Sequence, residues 1–159
     1  MKRGGRVVVV FMGACCTGKS SVAELIRAKN NIQVITGKDY LRLSSDEEEA
    51  WRQFLRRIEN TLHAASGESM IYILDDADKA DDLLNIHGVR CVKFSATLDV
   101  IKSRYEARMQ GDLPDVVVKM LNAQLSAWNR VSCDIVVDSS RERDISEMAQ
   151  EVVTRFRRK

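Results

Sequence analysis

Residues 13–20 read Gly-Ala-Cys-Cys-Thr-Gly-Lys-Ser, which matches a phosphate-binding loop: Gly, four free positions, Gly-Lys, then Ser or Thr. The glycines allow backbone N–H groups to converge on a polyphosphate, and the helix that follows presents its positive end. Lys19 can reach the β- and γ-phosphates, and the Ser20 hydroxyl can bind the Mg²⁺ that bridges them. The residues predicted to contact a nucleotide are Gly13, Ala14, Cys15, Cys16, Thr17, Gly18, Lys19, Ser20 and Ser21.

The segments on either side of the loop support this interpretation. Residues 6–12 form a β-branched apolar run, which predicts a strand buried on both faces. Val22, Ala23, Leu25 and Ile26 follow at helical spacing. Strand, glycine-rich loop and helix in this order are the context that the motif requires.

Carboxylates follow two further predicted strands. Asp39 comes after the strand 32–36, where it can take the proton from an attacking hydroxyl or, alternatively, only close a turn. Asp75 and Asp76 end the apolar strand 70–74 and are predicted to hold Mg²⁺. The sequence does not distinguish which of the two faces the metal, and a solvated acidic turn is the alternative.

Two arginines share one face of a predicted helix. Arg104 and Arg108 are four residues apart, shortly before Gly111. Guanidinium groups placed there can close over the phosphates and neutralise charge that develops on the transferred group. We expect a short helical lid around residues 100–115; a solvated basic face is the alternative.

The order of elements predicts an α/β fold. Strands at 6–12, 32–36, 70–74, 89–96 and 134–138 alternate with helices, so we expect a parallel sheet covered on both faces. Ser45 with Glu48 is expected to form a capping box, and Thr97 to cap a later helix. We find no linker, and residues 1–159 are expected to form one domain.

Composition and charge exclude several classes of protein. A formal net charge of +2 gives no reason to expect nucleic acid or anionic membrane as a general partner. No apolar stretch approaches the ~20 residues of a membrane span. Lys2, Arg3 and Arg6 before an apolar run loosely imitate a secretory signal, but that interpretation leaves Gly-Lys-Ser unexplained. Four cysteines without a CxxC pair suit a reducing cytoplasm.

Taken together, these residues resemble the small P-loop kinases that phosphorylate metabolites or nucleic-acid ends. Asp39-Tyr40-Leu41-Arg42 is similar to the Asp-x-x-Arg after the second strand of adenylylsulfate kinase, zeta-type toxins, chloramphenicol phosphotransferase and the 5′-kinase domain of polynucleotide kinase. Residues 73–76 and 99–108 also resemble the polynucleotide kinase pattern. In those relatives the Asp contacts or deprotonates the acceptor hydroxyl, and the Arg helps to hold the acceptor.

The resemblance implies a P-loop NTPase fold of the NMP-kinase type, with three α/β/α layers and sheet order 2-3-1-4-5. It implies ATP and Mg²⁺ as cofactors and an acceptor hydroxyl, on a small molecule or a nucleic-acid end, held by Asp39 and Arg42. The base of ATP would lie between the lid and residues 139–143. Relatives often carry a second glycine inside the loop, where this chain has Cys15 and Cys16. Neither the acceptor nor the oligomeric state follows from the resemblance.

Two other functions stay open from the sequence. A nucleoside monophosphate kinase would share the fold, grip an acceptor phosphate with Arg42, Arg52 or Arg56, and need no general base. A catalytically silent ATP-binding regulator would keep the loop without transferring phosphate. A GTPase is disfavoured because the sequence has no Asn-Lys-x-Asp motif, and residues 75–78 lack the glycine of a switch loop.

Overall fold

The computed structural model describes residues 6–140 and 144–157, and its centre is a sheet of five parallel strands. The strands are β1 (Val8–Met12), β2 (Ile32–Thr36), β3 (Ser69–Ile73), β4 (Arg90–Ser95) and β5 (Ile135–Asp138). They lie in the order β2-β3-β1-β4-β5, with β1 hydrogen-bonded to β3 and β4. The predicted sheet order is confirmed.

Helices cover both faces of the sheet. They are α1 (Lys19–Lys29), α2 (Glu47–His63), α3 (Ala80–Leu84), α4 (Leu98–Met109), α5 (Asp115–Asn129) and α6 (Ile145–Arg157). One face packs against α2 to α5, and the other packs against α1 and α6. This is the predicted three-layer arrangement. None of these helices has both the length and the apolar character that crossing a bilayer demands.

The position of β1 at the centre of the sheet explains why its sequence is apolar throughout. Val8, Val10 and Met12 join the core under α2 to α5, and Val9 and Phe11 join the core under α1 and α6. All five residues are buried, because successive side chains of a strand point to opposite faces and both faces are covered. The end of β1 is therefore fixed from both sides, and the phosphate-binding loop starts from this fixed point.

Helix starts agree with the sequence in one case and differ in another. Thr97 caps α4, since its hydroxyl accepts a hydrogen bond from the Val100 N–H at 3.3 Å. The capping box predicted for Ser45 and Glu48 is wrong. Helix α2 begins one residue later, after Asp46, without a side-chain cap. The Ser44 hydroxyl instead accepts from the Asp46 N–H at 3.2 Å, and Glu47, Glu48 and Glu49 form an acidic first turn, where negative charge is favoured.

An aromatic cluster fixes the turn that follows β2. Tyr40, Trp51, Phe54 and Tyr72 lie against each other with ring centroids between 4.7 and 6.4 Å apart. The Tyr72 hydroxyl donates a hydrogen bond to the Gly37 carbonyl at 2.6 Å. A 3₁₀ helix, Gly37–Leu43, carries this turn. Packing thus holds the segment that contains Asp39 and Arg42 against the sheet.

Candidate active site

The phosphate-binding loop joins β1 to α1 through two glycines with positive φ. Gly13 has φ 137° and Gly18 has φ 91°, values that residues with a Cβ rarely adopt. Gly13 also passes close to β4, because a Cβ added there would lie 2.3 Å from the Phe94 carbonyl oxygen. The loop is thereby pressed against the sheet, and its curl depends on glycine at both ends.

Gly13→Ala is expected to destabilise the fold by about 2–4 kcal/mol, since it combines a strained φ with a backbone clash. Gly67→Ala is the matched control, because Gly67 has φ 107° but nothing within 4 Å of an added Cβ. That control should cost only about 1–2 kcal/mol. Urea unfolding of both variants measures the difference. Equal losses would show that the contact with Phe94 does not constrain the loop.

Lys19, the first residue of α1, turns back into its own loop. Its Nζ donates to the Gly13 carbonyl at 2.6 Å and to the Ala14 carbonyl at 2.9 Å. The side chain is only 9% exposed. Burial lowers the pKa of Lys19 from 10.5 to about 8, while the nearby Asp75 acts in the opposite direction. Within residues 6–140 and 144–157 this buried ammonium bonds only loop carbonyls, so it is well placed to bind an anion in the loop.

The loop opens into a cleft of 620 Å³ at the carboxyl ends of the strands. The lining residues are Cys15, Cys16, Thr17, Gly18, Lys19, Ser20, Ser21, Thr36, Gly37, Lys38, Asp39, Arg42, Ile73, Asp75 and Arg108. Four of the predicted site residues, Gly13, Ala14, Asp76 and Arg104, are not in this lining. The cleft brings the loop together with the ends of β2 and β3, the position expected for a ligand in an open parallel sheet.

Asp39 lies on the wall of the cleft and also closes the turn after β2. Its Oδ2 accepts hydrogen bonds from the Thr36 N–H at 3.1 Å and from the Thr36 hydroxyl at 3.2 Å. Both bonds go to Oδ2, and no other described residue bonds Oδ1, so Oδ1 can meet a ligand. The two roles that the sequence left open, turn closure and contact with a substrate, are compatible in this geometry.

The two carboxylates at the end of β3 face different surroundings. Asp75 lines the cleft, and its Oδ2 lies 2.9 Å from where a Cβ on Gly37 would be. Asp76 instead accepts a hydrogen bond from the Asp78 N–H at 3.0 Å and caps a short 3₁₀ helix, Ala77–Lys79. The geometry therefore favours Asp75 as the carboxylate that meets a ligand.

The two arginines of α4 also differ. Arg108 is exposed and lines the cleft. Arg104, one turn earlier, is half-buried and donates to the Cys16 carbonyl at 2.9 Å. Its guanidinium also donates to the Ser139 carbonyl. A direct contact of Arg104 with phosphates stays a prediction, because the hydrogen bonds that the structure shows for its Nη1 and Nη2 go to the protein itself.

Some lining residues have no counterpart among the sequence predictions. Thr36, Gly37 and Lys38 line the cleft directly before Asp39, and their position at the end of a predicted strand could have indicated them. Gln124 on α5 supports the loop, since its side-chain oxygen accepts from the Cys15 N–H at 3.3 Å. No local pattern marks Gln124, because its contact spans 109 positions of sequence. Residues 141–143, part of the predicted base-binding loop, lie outside the described residues.

The cleft suits Mg²⁺ held together with phosphate rather than by protein alone. Ser20 and Asp75 both line it and offer one hydroxyl and one carboxylate. Among the described residues, no three His, Cys, Asp or Glu side chains form a group that could hold a metal ion. Mg²⁺ commonly takes one or two protein oxygens and completes its shell with water and substrate phosphates. The donors present therefore fit this ion.

Solved structures share this architecture, although no protein-family model and no curated protein matches the sequence. A shikimate kinase from Bacteroides thetaiotaomicron aligns with a TM-score of 0.69 and 13% identity over 95% of this chain and 98% of that chain. A gluconokinase from Sinorhizobium meliloti 1021 aligns with a TM-score of 0.63 and 21% identity, covering 99% and 94%. The chain has the fold of the small P-loop kinases.

A third aligned structure carries a nucleotide. The YorR protein from Bacillus subtilis, solved in complex with phosphorylated GDP, aligns with a TM-score of 0.62 and 14% identity over 95% of this chain and 96% of that chain. At identities this low the structural likeness establishes the fold alone. The substrate has to be inferred from the residues of the site.

Proposed function

We propose that this protein is a phosphotransferase that moves the γ-phosphoryl group of ATP, with Mg²⁺, to a hydroxyl of a small-molecule acceptor. The observation that carries the proposal is one cleft lined by the loop lysine Lys19, the hydroxyl of Ser20, and the carboxylates of Asp39 and Asp75. These groups come from three strand ends and have complementary tasks in phosphoryl transfer. The kinase fold of the structural neighbours supports the same reaction class.

The loop side of the cleft would bind the triphosphate. Lys19 exchanges its bonds to the Gly13 and Ala14 carbonyls for phosphate oxygens, and loop N–H groups at the start of α1 donate to the same anion. Ser20 and Asp75 would hold Mg²⁺, which would supply positive charge beside the phosphates. Arg108 on the lid side is placed to neutralise charge that develops on the transferred group.

The opposite wall would bind the acceptor. Asp39 Oδ1 accepts the proton of the acceptor hydroxyl while the new oxygen–phosphorus bond forms and ADP leaves. Arg42, three residues later on the same 3₁₀ helix, lines the cleft and can hold a polar or anionic group of the acceptor. Residues 100–115 would close as a short lid that excludes water, so that ATP is not hydrolysed.

An acceptor screen that follows ADP release tests the proposal. Purified protein with Mg²⁺ and ATP is offered two sets of acceptors, small hydroxyl compounds and nucleoside monophosphates. Turnover that depends on a hydroxyl acceptor supports the proposed reaction. Turnover with nucleoside monophosphates alone would identify a monophosphate kinase. ATP binding without acceptor-dependent turnover in either set would identify a silent nucleotide-binding protein and contradict the proposal.

The lowered pKa of Lys19 predicts that ATP binding takes up protons. Because burial lowers the pKa of Lys19 to about 8, the neutral form is more populated in the free protein at pH 8 than at pH 7. Bound polyphosphate favours the charged form, so protons should be taken up on binding, and the uptake should be larger at pH 8 than at pH 7. Calorimetry in buffers of different ionisation enthalpy measures this uptake.

Lys19→Arg is the control for proton uptake, because arginine stays charged throughout this pH range. This variant should bind ATP with no uptake at pH 8. An uptake by the parent protein that is zero at pH 8, or that does not fall between pH 8 and pH 7, would show that Lys19 is not the titrating group.

A further inference from the structure

One residue of the phosphate-binding loop holds a strained backbone conformation. Cys16 has φ 64°, in the left-handed region, and among the described residues only Gln110 shares this feature without being glycine. A residue with a Cβ is disfavoured there because the Cβ crowds the carbonyl oxygen that follows. Cys16 is also buried, at 7% exposure, so its neighbours must hold this conformation in place.

Arg104 makes the contact that can hold it. Its Nη1 donates to the Cys16 carbonyl at 2.9 Å, and its guanidinium also bonds the Ser139 carbonyl. Ser139 is itself fixed to the sheet, since its N–H donates to the Ser95 carbonyl at 2.7 Å and it is 1% exposed. Arg104 thus connects the strained loop residue to a rigid point at the ends of β4 and β5.

The direction of one peptide unit follows from this contact. In a trans peptide the carbonyl and the next N–H point in opposite directions. Because the Cys16 carbonyl points to Arg104, the Thr17 N–H points away from Arg104. Thr17 lines the cleft, and its hydroxyl is already engaged with the Ala14 carbonyl at 2.8 Å. The contact with Arg104 therefore fixes the orientation of a loop donor.

We propose that Arg104 is a positioning residue that keeps Cys16 in its left-handed conformation and thereby sets the loop N–H groups for a polyphosphate. The inference rests on the proposed nucleotide site. It differs from a direct contact of Arg104 with ATP, because here the arginine acts through the Cys16 carbonyl. A chain with glycine at position 16 would hold the same conformation without assistance, since glycine adopts positive φ readily.

A double-mutant cycle between positions 104 and 16 tests the proposal. In the parent background Arg104→Met should weaken Mg·ATP binding about tenfold, which corresponds to about 1.4 kcal/mol and lies within the cost of an unsupported left-handed residue. In the Cys16→Gly background the same substitution should weaken binding by less than about threefold. Cys15→Gly is the matched control, because Cys15 has no positive φ, and in that background the tenfold loss should remain.

A second measurement decides the positioning role without nucleotide. Amide hydrogen exchange of residues 13–21 is followed in the free protein, and Arg104→Met should speed it in the parent background but not further in the Cys16→Gly background. If the protein does not bind ATP at all, the proposed function fails, while this measurement still decides the role of Arg104. Should Arg104→Met not fold, Arg104→Leu is used, since its shorter apolar side chain also cannot donate to the Cys16 carbonyl.

Two results would overturn the proposal. Equal losses of affinity in the parent and Cys16→Gly backgrounds would mean that Arg104 contacts the nucleotide directly. Unchanged exchange of residues 13–21 in Arg104→Met, or in Arg104→Leu where that variant replaces it, would mean that the hydrogen bond to the Cys16 carbonyl does not hold the loop.

Discussion

Replacing Lys19 by alanine is expected to lower phosphoryl transfer by about 10²–10³-fold, the usual loss when one preorganised donor to the reacting charge is removed. Lys19 is the buried cation of the loop, and its Nζ lies 2.6 Å from the Gly13 carbonyl oxygen. Arg108 also lines the cleft, but it is exposed and so does not share the buried position of Lys19. Steady-state rates with the acceptor found in the screen measure the effect.

The free energy of unfolding of Lys19→Ala shows whether a loss of activity comes from the missing side chain or from a disrupted fold. Burial lowers the pKa of Lys19, so at pH 7 the charged side chain opposes folding, and its removal should leave the free energy of unfolding unchanged or higher. Lys29→Ala, at the exposed end of the same helix, is the matched control and should retain full activity. If Lys19→Ala kept more than a tenth of the parent activity, Lys19 would not have the proposed role in phosphoryl transfer.

Asp39→Asn is expected to lower turnover by about 10²–10⁴-fold while ATP binding stays nearly intact, because the amide cannot accept the proton of the acceptor hydroxyl. The amide oxygen can still accept from the Thr36 N–H, which Asp39 Oδ2 bonds at 3.1 Å, so the turn after β2 should survive. The loss should therefore fall on the maximal rate rather than on ATP affinity, and calorimetry with ATP separates the two.

Asp46→Asn provides the matched control for Asp39→Asn. Asp46 is exposed, lies seven positions later, and makes no side-chain cap to α2, so the same change of chemistry there should not alter turnover. Full activity of Asp39→Asn would leave Asp39 with turn closure alone. Loss of ATP binding in Asp39→Asn would mean that the turn after β2 supports the nucleotide rather than the acceptor.

Much of the fold follows from local sequence patterns. The run 8–12 is apolar at every position because both faces of β1 are covered, and the Gly-Lys-Ser at 18–20 marks the start of α1. The helix after Thr97 begins where its hydroxyl can cap. The hydrophobic periods of 2 residues in strands and 3.6 residues in helices are local properties of the sequence. They can therefore be recognised without the tertiary structure.

The details of the site depend on contacts that no local pattern records. Asp75 and Asp76 are adjacent in sequence, yet only the turn geometry directs Asp75 into the cleft and Asp76 into a cap. Arg104 and Arg108 share a helix face, but they are about 6 Å apart along the axis and so meet different neighbours. The Ser139 carbonyl that bonds Arg104 lies 35 positions away in sequence. Sequence spacing identified the set of candidate residues. Tertiary packing then determines which of them line the cleft and which bond the protein itself.

The most direct measurement is a calorimetric titration of the purified protein with ATP in excess Mg²⁺, made alongside Lys19→Ala. Saturable binding at one site per chain, weakened strongly by Lys19→Ala and unchanged by Lys29→Ala, is the expected result. No binding at millimolar ATP, or equal binding by the parent protein and Lys19→Ala, would contradict the proposal that the loop at residues 13–20 binds a nucleoside triphosphate.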